Sequence, residues 1–218
     1  MRASVETETM SSPGMQPQRE RKVSVALIAF DDYTDIDLIF MWDLFTRVAR
    51  PDWEVRILGD AAEHRSMTGL TVPTHGHVRE ARSASAVLFA SGRGTRAKMN
   101  DGAWLAELEL DPERQLIGSM CSGALLLGAL GLLRGRRATT YPTAKPLLER
   151  LGVTVVEQPF VCEGNVATAG GCLAAQYLVG WVLERLGGEK LRDFVIASCQ
   201  PVGEGLTYAT NVEVPPAP

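Results

Sequence analysis

Residues 115–133 read QLIGSMCSGALLLGALGLL, and the fold turns on how this stretch is parsed. Leu116-Ile117-Gly118-Ser119-Met120 is an apolar run of strand length. Cys121 follows with no residues to spare for a loop. Ser122-Gly123 then opens a run of Ala and Leu with the propensity and length of a buried helix. A cysteine at such a strand-to-helix turn stands where a nucleophile is useful. The turn lifts its side chain off the sheet, and the start of the helix offers unpaired N–H groups and a partial positive charge. Both favour thiolate over thiol. The neighbouring N–H groups, that of Ser122 first, can hold a developing anion. Gly123 leaves room for close approach, and Ser122 adds a hydroxyl. The same pattern also fits a small buried core cysteine, so the elbow by itself leaves both readings open.

Working outward, the spacing predicts strands over 23–30, 53–58, 86–90 and 166–169 and helices over 35–45, 97–109, 143–151, 172–186 and 189–199. Thr34 or Asp35 is the expected cap of the first helix. Two short extended pieces within 59–80 suggest a hairpin around Thr68-Gly69. Further extended pieces are expected near 136–140, 153–156 and 160–162. Strands alternating with helices imply βαβ units and a mostly parallel sheet covered on both faces. Ligands in such α/β folds bind at the carboxyl ends of the strands. The first strand delivers the segment containing Asp37 to that rim, the strand over 86–90 delivers Ser91-Gly92, and the strand over 116–120 delivers Cys121.

Composition bounds the rest. The chain has 218 residues, 45% of them apolar and 22% charged, with a net charge of −4. That suits one domain of ordinary size, expected over 22–202. Residues 1–21, rich in Ser, Thr, Glu, Gln and Pro, read as a disordered leader, and 203–218 as a loose tail. Lys and Arg are scattered, which argues against nucleic acid or a membrane surface as partner. No apolar stretch reaches the roughly 18 residues of a membrane span, and the N-terminal stretch has no apolar core of a signal peptide. The four cysteines, Cys121, Cys162, Cys172 and Cys199, have no CxxC spacing. They do not read as a disulfide framework, and a reducing cytoplasm is the expected compartment. His75-Gly76-His77 offers two ligands without a third at a metal-site spacing, so no metal is expected.

Among the residues at the rim, Asp35 fits a plain helix-start role. Asp37 lies deeper in an apolar stretch; partly desolvated beside a thiolate, it would hold and donate a proton. Gly92 is the natural source of a second N–H beside that of Ser122, or else a plain turn glycine. Cys172 is a rival nucleophile after Gly170-Gly171, but Ala174, Ala175, Leu178 and Val179 at core spacing favour a packing role.

The run Ser119-Met120-Cys121-Ser122-Gly123-Ala124-Leu125-Leu126-Leu127, with Gly131-Leu132-Leu133-Arg134-Gly135-Arg136-Arg137-Ala138-Thr139-Thr140 after it, resembles the ThiJ/PfpI superfamily. The nearer likeness is to the branch holding isonitrile hydratases and the ligand domains of some AraC-type regulators. The resemblance spans about 23–200 and includes Asp37-Leu38, Ser91-Gly92-Arg93-Gly94 and 164–170. It implies a flavodoxin-like three-layer sandwich of the class I glutamine amidotransferase-like type, usually a homodimer, with no cofactor or metal. It implies Cys121 as nucleophile and Asp37 as its acidic partner, with Ser122 where the hydratases carry Thr. The implied reaction is hydration of an isonitrile to an N-substituted formamide. A redox-sensing or ligand-binding protein, or another hydrolase or glyoxalase-like activity, is the alternative. Ile39-Phe40-Met41 replaces the usual Thr-Gly-Pro, so Phe40 is expected to add bulk beside the substrate. Tyr141-Pro142 stands where His-Trp is common. The sequence from Cys199 onward is too short for a helix-turn-helix domain, so a complete AraC-type regulator is not expected.

Overall fold

A computed structural model describes residues 22–209; the leader over 1–21 and the tail from 210 lie outside the described residues. In chain order the elements are β1 (Val23–Ile28), α1 (Asp35–Thr46), β2 (Trp53–Gly59), β3 (Glu63–Arg65), β4 (Thr71–Pro73), β5 (Gly76–His77), β6 (Ala86–Phe89), α2 (Thr95–Lys98) and α3 (Gly102–Ala106). Then follow β7 (Leu116–Met120), α4 (Ala124–Ala129), β8 (Arg137–Ala138), α5 (Lys145–Arg150), β9 (Thr154–Val155), β10 (Phe160–Glu163), β11 (Val166–Ala169), α6 (Ala175–Gly187) and α7 (Glu189–Ser198).

The main sheet has seven strands in the order β10-β11-β7-β6-β1-β2-β5. All neighbours are parallel except β10, which returns antiparallel on β11. The inner part, β2-β1-β6-β7-β11, has the flavodoxin-like order, whose switch point lies between β1 and β6. Helices cover both faces, α1, α6 and α7 packing as one group and α2, α4 and α5 as another. This double cover explains why β6 and β7 are apolar without alternation: every residue of both strands is buried.

Two helices differ from expectation. The pattern over 97–109 splits into α2 and α3, because Asp101 stops one helix and caps the next, its Oδ1 accepting the Trp104 N–H at 3.0 Å. The Ala/Leu run after the elbow is helical only to Ala129, where Gly128 and Gly131 interrupt its propensity. The hairpin forms as β3 paired antiparallel with β4. It leans on the rim of the main sheet through a bridge between Tyr33 and Ser66. No helix among the described residues is long and apolar enough to cross a membrane.

Candidate active site

Four neighbouring strands bring their carboxyl ends to one crevice. The segment after β1 carries Asp37, the turn after β6 carries Ser91-Gly92, the turn after β7 carries Cys121, and the turn after β11 carries Gly170-Gly171-Cys172.

Cys121 begins a single 3-10 turn, Cys121–Gly123, that leads into α4. Its φ is +45°, the left-handed region that costs a residue with a Cβ roughly 1–2 kcal/mol. Neighbouring contacts hold it there. The Thr140 hydroxyl donates to Cys121 O at 2.8 Å. A Cβ on Gly123 would come within 2.6 Å of Ala90 O, so only glycine lets the elbow sit this close to the end of β6.

Asp37 lies in the first turn of α1 and is fully buried. Ser91 Oγ donates to its Oδ2 at 2.5 Å, while Oδ1 is buried with no hydrogen-bond partner. The carboxylate, Cys121 Sγ and Cys172 Sγ all lie within 4.8 Å of one another. Asp35 turns away: its Oδ2 accepts from Thr68 Oγ1 at 3.0 Å. Thr34 takes the cap position without a side-chain cap bond.

Electrostatics at the thiol differ from the sequence-based expectation. Burial pushes the Cys121 thiol well above the ordinary thiol range, and the Asp37 carboxylate adds to the rise; the Gly171 N–H pulls the other way. A short helix start does not overcome this, since Cys121 is only 3% exposed and α4 has six residues. Burial and the charge of Asp37 both favour thiol over thiolate at Cys121. Cys172 is pushed up to about 11, by burial first and by Asp37 next.

Gly92 has φ +142°, and a Cβ there would meet Asp32 O at 2.1 Å. Its glycine is thus required by the crossing of the loop after β1 over the turn after β6, which is also tied by Thr34 N–H donating to Ser91 O at 2.7 Å. The Gly92 N–H, expected to face an oxyanion, donates to Ser122 Oγ at 3.1 Å. The Ser122 hydroxyl in turn donates to Gly92 O at 3.1 Å. Ser122 thus ties the elbow to the β6 turn.

A cavity of about 400 Å³ opens on this group, lined by Thr34, Met67, Ser91, Gly92, Arg93, Arg96, Cys121, Ser122, Tyr141, Thr143 and Cys172. Phe40, expected beside the substrate, is not among its walls; it packs half-buried against the core. Met41, one helical turn after Asp37, is wholly buried. The bulk at the cavity comes instead from Met67 of the hairpin and from Tyr141. Sequence reasoning also missed Ser91 as the support of Asp37, Arg96 as a cationic wall, and Cys172 as the third point of the triangle. The Gly170-Gly171 pair was the available signal for Cys172. It places the residue in a 3-10 turn, Cys172–Ala174, ahead of α6 and so out of that helix's phase. Arg96 donates to Gly92 O at 3.4 Å and to Thr95 Oγ1 and Thr143 Oγ1 at 3.3 Å. The histidines stand apart: His75 Nδ1 accepts the Ile57 N–H at 2.9 Å, and His77 caps a 3-10 turn.

Residues 23–185 match the sequence model of the DJ-1/PfpI family. The isonitrile hydratase of Pseudomonas putida is 29% identical over 168 residues, which cover 72% of this chain and 73% of the hydratase. A deglycase of Pyrococcus abyssi (strain GE5 / Orsay) is 26% identical over 184 residues, 78% of this chain and 96% of the deglycase. The crystal structure of a ThiJ/PfpI family protein from Pseudomonas syringae superposes with a TM-score of 0.74 at 22% identity, covering 89% of this chain and 84% of that one.

Proposed function

The chain belongs to the DJ-1/PfpI family, and on that premise we propose that it is a cofactor-free, cysteine-dependent hydratase that converts a small isonitrile to an N-substituted formamide. The observation that carries this reading is the buried Asp37 carboxylate within 4.8 Å of the Cys121 sulfur, at the wall of a cavity of about 400 Å³.

Both the sulfur and a hydrogen must add to the terminal carbon of an isonitrile. The resting pair holds one proton for that purpose. Asp37 takes the Cys121 proton as the sulfur attacks, then delivers it to the same carbon, giving an enzyme-bound thioformimidate. Water then adds to that carbon. One of its protons goes to the nitrogen and the other returns to sulfur as the C–S bond breaks, so the formamide leaves with the water oxygen. A raised thiol pKa suits this chemistry, because the proton stays on the pair until substrate arrives. Ser91 is the positioning residue: its bond to Oδ2 fixes the carboxylate. Ser122 joins the elbow to the turn bearing Gly92, and its N–H, with that of Gly92 if substrate displaces Ser122 Oγ, would face the developing charge. The walls built by Met67, Tyr141 and Arg96 set which R group fits. A small-molecule substrate follows from the family; a homodimer is proposed from the resemblance alone, and a cytoplasmic location from the cysteine usage.

The burial of Cys121, at 3% exposure, together with the upward push on its thiol, weighs against the redox-sensing alternative, since selective oxidation follows thiolate character and exposure. The test is to incubate the reduced protein with cyclohexyl isocyanide and follow the formamide, with methylglyoxal as a parallel substrate. Formamide production that disappears in Cys121→Ala supports the hydratase. No turnover with an intact thiol sinks it, and turnover of methylglyoxal alone assigns the same cysteine to the glyoxalase-like alternative.

A further inference from the structure

We propose that Asp37, Cys121 and Cys172 form a binding site for one thiophilic divalent cation of the zinc class, reached through the cavity at the elbow. The proposal goes beyond the hydratase reading and does not depend on it.

The three donors come from separate elements: the first turn of α1, the turn after β7 and the turn before α6. Their ligand atoms lie within 4.8 Å of one another. Zinc binds sulfur at about 2.3 Å and carboxylate oxygen at about 2.0–2.2 Å, so two sulfurs on one tetrahedral ion stand about 3.8 Å apart. The observed sulfurs, at most 4.8 Å apart, are thus within about 1 Å of that separation. Both cysteines line the cavity, and Cys172 is half-buried, so an ion has a route in. A water from the cavity would complete four-coordination.

An independent observation points the same way. Asp37 Oδ1 is buried and no N–H or O–H group donates to it; the weakly donating thiols of Cys121 and Cys172 are the polar groups beside this carboxylate, an expensive state for a buried carboxylate oxygen. The other oxygen is fixed by Ser91, which is how a ligating carboxylate is oriented by its surroundings. Arg96 lines the same cavity, but its guanidinium bonds are made to Gly92, Thr95 and Thr143. A cation bound between the carboxylate and the two sulfurs would offset that cost. Two sulfurs with one carboxylate favour zinc-like ions over magnesium or calcium, which prefer all-oxygen sets. On binding, each thiol gives its proton to the buffer and each sulfur binds as thiolate. The ion and the nucleophile role of Cys121 are then mutually exclusive.

The test titrates the full, reduced, metal-free chain with cobalt(II) in the absence of oxygen. The expected result is one ion per chain, with a near-ultraviolet thiolate-to-cobalt charge-transfer band and the visible bands of tetrahedral cobalt, both removed by zinc(II). Cys172→Ser and Asp37→Asn should each weaken binding about tenfold or more, and Cys162→Ser and Cys199→Ser should not. No charge-transfer band in the wild-type chain overturns the proposal, as does a band that survives unchanged in Cys172→Ser. Should a variant fail to fold, alkylation mapping of the wild type decides. Zinc(II) should protect Cys121 and Cys172 ahead of Cys162 and Cys199, and equal labelling of all four rejects the site. Because the readouts are spectra and protection, a failed isonitrile assay leaves this result independent.

Discussion

The molecule contains two strand-to-helix turns that begin with a cysteine, and they differ in where the backbone strain sits. After β7 the left-handed residue is Cys121 itself, at φ +45°. After β11 it is Gly171, at φ +93°, and Cys172 follows it. Glycine takes that conformation without penalty; cysteine does not. The strain at Cys121 is maintained by the Thr140 hydroxyl and by the close approach at Gly123. It aims a buried sulfur at Asp37. The relaxed turn leaves Cys172 half-buried at the cavity wall. Two cysteines with the same local sequence logic thus have different settings, which fits the proposed role of the first as nucleophile and of the second as a flanking thiol. Strain held in place by surrounding structure marks functional positions.

The sharpest way to break this contrast is to exchange the two sulfurs for lighter groups. Cys121→Ala should remove formamide production to the detection limit, whereas Cys172→Ser, which keeps the Cys121 sulfur and Asp37 in place, should leave most of it. A comparable collapse in both variants would erase the distinction. Next in size, Asp37→Asn should lower kcat by about 10²–10⁴-fold, the usual worth of a positioned acid–base group. Ser91→Ala should act through Asp37 and cost about tenfold, the scale of a lost supporting contact. A merely structural role for Ser91 would leave the pH profile of kcat unchanged, whereas a positioning role moves it. Ser122→Ala should reduce turnover only modestly, since its N–H remains, and Ser122→Thr should be tolerated.

The smallest effect is on stability. Both thiols have folded-state pKa values raised above the ordinary 9.0. The unfolded chain therefore releases these protons first as pH rises. The stabilisation is fully present below about pH 9 and is lost above it, for Cys172 over the window from 9.0 to about 11. Thermal unfolding of the wild type should show Tm falling through that window, and Cys172→Ser should flatten the fall. A Tm that rises with pH in that range would contradict the burial assigned to the thiols.

Much of this was legible in the residues. The apolar strand, the abrupt cysteine and the Ala/Leu run located the elbow, because a buried parallel strand and a helix start have distinct local patterns. Asp37 stood out because a carboxylate in an apolar helix needs a reason. What stayed hidden depends on side-chain direction across elements distant in sequence. Phe40 follows Asp37 by three residues, yet it packs on the core rather than in the cavity. Ser91 reads only as part of the turn after β6, and only the crossing of two loops shows its hydroxyl meeting Asp37. Cys172 was assigned by helical phase to the core, but it precedes α6 in a turn of different period. Met67 enters from a hairpin whose docking no periodicity encodes.

The central claim is that Asp37 and Cys121 share a proton. The most direct measurement is the rate of Cys121 alkylation against pH, mapped by mass spectrometry, in the wild type and in Asp37→Asn. Removing the carboxylate's charge takes away one of the two main causes of the raised thiol pKa. Faster alkylation of Cys121 is therefore expected in Asp37→Asn at every pH below that at which the wild-type thiol ionises, with kcat lowered by about 10²–10⁴-fold. An unchanged alkylation profile together with full turnover would show that Asp37 is only a residue of the helix start.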